Sequence, residues 1–286
     1  GYRKKERILI VTDDVLCDIG EIFYSSIKRL GLEPILIRII PRKMHGEDPP
    51  PEVAHALKAS NITLLITQKS LSHTRARQIA SSKYGVRIAS MPSITIQSLK
   101  RCVDIDYLDL KKRANALAQK ISRAGKIKIK TDKGTELIMS VKGRRTFCDH
   151  GIYAENGAFG NLPAGEVSIA PIEGTTNGRL IVDASFACLG KLKKPIEINI
   201  RNGYATKISS RKLTNILSPF GKSAFNIAEL GIGLNPRACV TGNILEDEKA
   251  INTAHIALGD NLSFGGRTRA KCHLDGVFFN PKIELI

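Results

Sequence analysis

Residues 126–131, Lys-Ile-Lys-Ile-Lys-Thr, alternate polar and apolar side chains, and Asp132-Lys133-Gly134 separates them from a second alternating run, Thr-Glu-Leu-Ile-Met-Ser-Val, at 135–141. A period of two puts every second side chain on one face of a strand, and the Asp-Lys-Gly stretch supplies the turn, so the region predicts a β-hairpin. The stretch decides the fold because the pattern differs on its two sides. Upstream, short β-rich runs at 8–12, 34–40, 62–67 and 86–90 alternate with helical periodicity. Ile19, Ile22, Phe23, Ile27 and Leu30 mark one helix that stops at Gly31, and others are expected near 52–59, 74–83 and 106–123. Strands separated by helices imply a parallel sheet covered by helices. Downstream, strands are expected at 167–170, 180–187, 196–200, 204–208 and 272–279, with helices near 210–217 and 246–256. The expected fold class is therefore α/β plus α+β. A small N-terminal α/β domain (1–124) with a parallel sheet precedes a larger β-rich domain (125–286).

Composition narrows the function. The 286 residues are 42% hydrophobic, which excludes a disordered chain, and no apolar run approaches the length of a membrane span. No charged-then-apolar leader is visible, and six cysteines without a CxxC pair fit neither a disulfide framework nor a zinc knuckle. A cytoplasmic protein with reduced thiols is the expectation. The net charge of +17 invites a nucleic-acid reading, but most of the excess lies before residue 151. Lys126, Lys128 and Lys130 also share one strand face with the isoleucines opposite, as on an ordinary solvated surface. A basic, non-enzymatic binding protein remains a third reading, behind two catalytic ones.

Asp13-Asp14 ends the first expected strand where a dinucleotide fold would carry glycines, so these aspartates are read as solvated helix-capping residues. His45, His55 and His73 lie singly in polar segments and read as surface residues. The second half differs. His273 and Asp275 are two apart and share one face if their segment is a strand. An imidazole beside a carboxylate suits a divalent metal, although a plain His–Asp hydrogen bond is the simpler reading of that pair alone. His255 lies within Ala-His-Ile-Ala-Leu-Gly-Asp, Glu229 within Ile-Ala-Glu-Leu-Gly-Ile-Gly, and Glu166 within Pro-Ala-Gly-Glu-Val. A carboxylate in an apolar, glycine-rich run is costly unless it is paired or bound to a cation. Together the five residues point to a metal.

Four stretches carry a resemblance: NLPAGEVSIAPIEGTTNG (161–178), AELGIGLNP (228–236), HIALGD (255–260) and HLDGV (273–277). Their order and spacing resemble the thermophilic metallo-aminopeptidase family of the aminopeptidase T type. The resemblance implies a small α/β domain before a β-rich catalytic domain, a homodimer, and a centre of two divalent ions, zinc or cobalt. By motif the ligands would be Glu166, Glu229, His255, His273 and Asp275, with Glu166 or Glu229 bridging the ions or acting as general base. The implied reaction is removal of N-terminal residues from a small peptide by metal-activated water. Those peptidases carry a tyrosine after the HIA(F/L)G motif, whereas Asp260-Asn261-Leu262-Ser263-Phe264 contains none. A second branch of the same superfamily opens a pyridinediol ring with non-haem Fe(II) and dioxygen. His255, His273 and Asp275 would then be its two-His, one-carboxylate triad. Retention of both glutamates makes the hydrolase the leading expectation and the dioxygenase its alternative.

Overall fold

A computed structural model of the chain describes residues 2–286. In chain order its main elements are β1 (Ile8–Asp13), α1 (Cys17–Arg29), β2 (Pro34–Ile39), α2 (Pro51–Ala59), β3 (Ile62–Ile66), α3 (Arg75–Tyr84), β4 (Arg87–Ser90), α4 (Ile96–Cys102) and α5 (Tyr107–Arg123). There follow β5 (Lys126–Lys130), β6 (Glu136–Ser140), β7 (Thr146–Asp149), β8 (Phe159–Asn161), β9 (Glu166–Ile169), β10 (Asn177–Val182), β11 (Ser185–Phe186) and β12 (Gly190–Lys191). The chain ends with β13 (Ile196–Arg201), β14 (Tyr204–Ile208), α6 (Arg211–Leu217), β15 (Ile227–Gly233), α7 (Ile244–Asp247), β16 (Thr253–Gly259), β17 (His273–Phe279) and β18 (Lys282–Leu285).

The chain divides into two compact units. The first comprises residues up to Asp104 together with Gly151–Ala164. It holds a five-stranded parallel sheet in the order β2-β1-β3-β4-β8. β1 is buried along its whole length, as a strand covered on both faces must be. Its helices obey local rules. Thr74 accepts the Arg77 N–H at the start of α3, and Gly85, at φ 68°, ends that helix in the left-handed conformation. Asp13 departs from expectation. It is fully buried rather than solvated, while Asp14 is exposed and pairs with Arg38.

The second unit comprises Ile105–His150 and Gly165–Ile286 and holds two antiparallel sheets. One runs β14-β13-β10-β6-β5-β18 and the other β12-β11-β17-β16-β15-β9-β7. Both contribute to one apolar core, with Ile127, Ile129, Met139 and Ile198 from the first sheet and Val167, Leu230, Ile256 and Phe278 from the second. The boundary expected at residue 124 assigns α5 to the first domain. In the structure Ala114, Ala118 and Ile121 of α5 belong to the core of the second unit, and β8 returns residues 151–164 to the first.

Two more expectations are corrected. The helix expected at 246–256 is a four-residue helix, α7, followed by the central strand β16. Every residue of β16 is buried, so the polar alternation that announces a strand is missing. The strand expected at 180–187 is broken after Val182, and its halves, β10 and β11, join different sheets. No disulfide joins any cysteine among the described residues, and no helix among them is long and apolar enough to cross a membrane.

Candidate metal centre

The seven-stranded sheet separates core from chemistry by its pleat. In β15, β16 and β17 the residues Leu230, Ile232, Ala254, Ile256, Leu258, Leu274 and Phe278 enter the core. Their alternates, Glu229, His255, His273 and Asp275, therefore project from the opposite face. The same rule turns Val167 and Ile169 of β9 inward and Glu166 outward. The ladder brings these positions together, since Gly231 pairs with His255, Ala257 with Asp275, Gly259 with His273 and Gly233 with Glu166. On one side of each functional side chain the strand partner is a glycine or an alanine. At Gly231 this is obligatory, because a Cβ there would lie 2.0 Å from the His255 ring.

All five residues singled out in the sequence thus meet on one face. His255 Nε2 lies 3.8 Å from Glu166 Oε2, 3.9 Å from Glu229 Oε1 and 4.0 Å from Asp275 Oδ1. His273 Nε2 lies 3.1 Å from Glu229 Oε2 and 3.4 Å from Asp275 Oδ1. Donor atoms roughly 3.0 to 4.2 Å apart are what one ion with ligand bonds of ~2.1 Å would gather, from cis to trans. These separations suit a divalent cation better than direct hydrogen bonds, most of which they exceed. Two further observations fit. The buried Glu166 Oε2 has no hydrogen-bond partner. His273 Nδ1 meets the Asp260 carbonyl at 2.7 Å, so its N–H is held there and Nε2 is left as the lone-pair donor facing the cluster.

The sequence missed three members of the cluster. Glu248 completes a trio of potential ligands with Glu166 and His255, beside the trio Glu229, His273 and Asp275. Lys249 is wholly buried, with Nζ 2.5 Å from Glu166 Oε1, 2.7 Å from Glu248 Oε1 and 3.8 Å from Asp149 Oδ2. In the sequence Glu248 and Lys249 belong to Glu-Asp-Glu-Lys, which reads as a solvated charged run. The backbone holds them inside, because the Lys249 carbonyl accepts the Asn235 N–H and the Asn235 carbonyl accepts the Ile251 N–H.

Protonation follows from crowding. Burial alone would raise Glu229, yet His255 and His273 hold its carboxyl far below the usual carboxylate range. Asp275 is likewise held down against burial, chiefly by His273. Burial would lower both imidazoles, but Glu229, Glu166 and Asp275 push His255 up to about 9, and Asp275 and Glu229 carry His273 well above its ordinary value. Burial, with Glu166 and Asp275 adding to it against Lys249, pushes Glu248 up to about 8. Lys249 is raised despite burial by Glu166, Glu248 and Asp149. So many carboxylates demand positive charge, and the imidazoles supply it as protons where no cation does.

The loop between β16 and β17 covers His273. Phe264 stacks on its ring at 5.1 Å between centroids and meets Phe147 edge-on at 5.9 Å. Glu173 ties the loop down, accepting from Asn261 Nδ2 at 2.9 Å and the Arg267 N–H at 2.7 Å and pairing with Arg144, which also donates to the Gly265 carbonyl.

No curated protein matches this chain. Among solved structures it is similar to a 2,5-dihydroxypyridine dioxygenase from Pseudomonas putida KT2440, with a TM-score of 0.85 at 18% identity, covering 98% of this chain and 88% of that one. It is also similar to wild-type AmpT from Thermus thermophilus, with a TM-score of 0.73 at 14% identity, covering 100% of this chain and 91% of that one. At these identities the likeness shows the fold, a mixed α/β architecture with an N-terminal parallel sheet and larger antiparallel sheets. The family resemblance read from the four motifs, pyridinediol-opening branch included, is borne out. The model of the NicX family, 2,5-dihydroxypyridine 5,6-dioxygenase, matches residues 42–285. That span includes every residue of the polar cluster, and the chain belongs to the NicX family.

Proposed function

We propose that the chain is a non-haem iron(II) dioxygenase that opens a hydroxylated pyridine ring. The observation that carries this reading is the convergence of His255, His273 and Asp275 on one face of adjacent strands, with His273 Nδ1 held by a backbone carbonyl. Two imidazoles and one carboxylate suit ferrous iron with positions left open for substrate and dioxygen. The family match supports this branch over the hydrolase that the retained glutamates suggested. A ferrous ion, when bound, supplies the one-electron chemistry that dioxygen needs to react with an aromatic ring.

The chain's own groups have separable roles in this reading. His255, His273 and Asp275 hold the ion. Glu229, nearest His273 Nε2, keeps negative charge beside it. Glu166 Oε2, without a partner of its own, is the acceptor available for a ring hydroxyl proton, while Oε1 stays on Lys249. Phe264 and Phe147 offer apolar ring faces beside His273, against which a flat heterocycle stacks and from which water is kept away. The absence of a tyrosine after the third motif accords with this branch.

Protein prepared metal-free under anaerobic conditions and loaded with ferrous iron is expected to consume one dioxygen per 2,5-dihydroxypyridine lost, measured by oxygen electrode and ring absorbance. No oxygen uptake with that substrate or related hydroxypyridines, together with release of N-terminal residues from peptides after zinc or cobalt loading, would overturn the reading. It would also restore the two-metal hydrolase, with its small peptide substrate and homodimer. The presence of two adjacent ligand trios is the observation that favours that second reading.

A further inference from the structure

The two ligand trios, taken by themselves, describe a binuclear centre, yet a lysine is already bound to two members of one of them. Lys249 Nζ touches an oxygen from each carboxylate of the trio Glu166, Glu248 and His255, at 2.5 and 2.7 Å, and Asp149 closes the far side at 3.8 Å. The ammonium is wholly buried, and the side chains of Glu166, Glu248 and Asp149 surround it. A divalent cation bound to the same two oxygens would have to share them with that ammonium, within a few ångströms of a buried like charge. Glu166 divides its oxygens accordingly. Oε1 is held by Lys249, and Oε2, which has no hydrogen-bond partner, lies 3.8 Å from His255 Nε2, itself beside Glu229 and Asp275.

We infer that Lys249 is a built-in substitute for a second metal ion, which confines this chain to one ion per site. The inference rests on the metal reading of this face and deepens it by fixing the number of ions. It also assigns Lys249 a positioning role, because its grip on Oε1 aims Oε2 of Glu166 at the single ion's neighbourhood. The mechanistic consequence is direct. Hydrolysis by two ions sharing a water needs both positions filled, whereas ring opening at a two-His, one-carboxylate site needs one filled and neighbouring positions open.

The test counts ions rather than turnovers. Metal-free protein is titrated with cobalt(II) alone, and bound metal is measured by mass spectrometry after desalting and by the visible absorption of the protein-bound ion. The wild-type chain is expected to saturate at one ion, and Lys249→Met, which keeps the length of the side chain and removes the charge, at two. If Lys249→Met does not unfold cooperatively, Lys249→Gln carries the same comparison, since it keeps a hydrogen-bond donor without the charge. Two ions in the wild-type chain overturn the inference and leave the metal reading standing. No ion in the wild-type chain overturns both. One ion in a folded Lys249 variant overturns the inference alone.

Discussion

Asp13 in the first unit and Glu166 in the second are acidic side chains at strand ends, and their surroundings treat them in opposite ways. Asp13 is fully buried, and the backbone answers it. Oδ1 accepts the N–H groups of Val15 and Leu16 at 3.2 and 3.1 Å, and Oδ2 accepts that of Gln68 at 2.6 Å. This carboxylate is a structural tie between the ends of β1 and β3. Glu166 receives no backbone donor at Oε2, and Oε1 is met by a lysine from far along the chain. The same contrast extends to Glu229 and Asp275, whose nearest cationic partners are imidazoles. A buried acid satisfied by main-chain N–H groups is a device of folding, whereas a cluster of acids answered by side chains that could themselves be ligands has the chemistry a divalent cation requires.

The largest effect that can break this contrast is expected at the ligands. His273→Ala or Asp275→Ala should abolish metal retention, and the rate of the proposed ring opening should fall by at least about 100-fold, beyond the range seen for losses of outer partners. Full occupancy in both folded variants, measured by metal analysis, would make the polar face an ordinary buried network. A smaller effect sharpens the geometry. Gly231→Val places its Cβ against the His255 ring, where even a bare Cβ would approach to 2.0 Å. It should cost about 1–3 kcal/mol in denaturant unfolding, and it should weaken metal affinity as well. Unchanged affinity would show that the ring's place is not set by its neighbour on β15. The least effect on the centre belongs to Asp13→Ala. With the N–H groups of Val15 and Gln68 left without their acceptor, while that of Leu16 keeps the Asp13 carbonyl, it should lose about 1–3 kcal/mol of stability and leave metal content at the wild-type level. A drop in metal content would erase the distinction between the two acids.

The cluster side of this contrast was legible in the sequence, whereas the burial of Asp13 was not, since an aspartate after a strand reads as a solvated cap. The parallel sheet announced itself because β1 to β4 are separated by helices with their own caps and stops. Glu166, Glu229, His255, His273 and Asp275 were legible because polar groups are conspicuous in apolar, glycine-rich runs. Lys249 and Glu248 were not, because a charged run reads as solvated until tertiary structure decides which charge is swallowed. That His255 lies on a strand was equally obscure. A strand buried on both sides loses the alternation that reports it, and the expected helix at 246–256 stood in its place. The return of residues 151–164 to the first unit rests on β8, three residues with a glycine at the centre, too short to give a pattern.

The connection from β16 to β17 has a further consequence. The places of His255 and His273 are set by the ladder between these strands, in which His255 faces Val277 and His273 faces Gly259. The loop joining them is fastened separately, through Glu173 and Arg144. Insertions or deletions between its anchor points would alter what covers the site without moving either imidazole. A lineage built on this plan is free to change what the site admits by trading loops, while the strands that set the polar cluster are inherited unchanged.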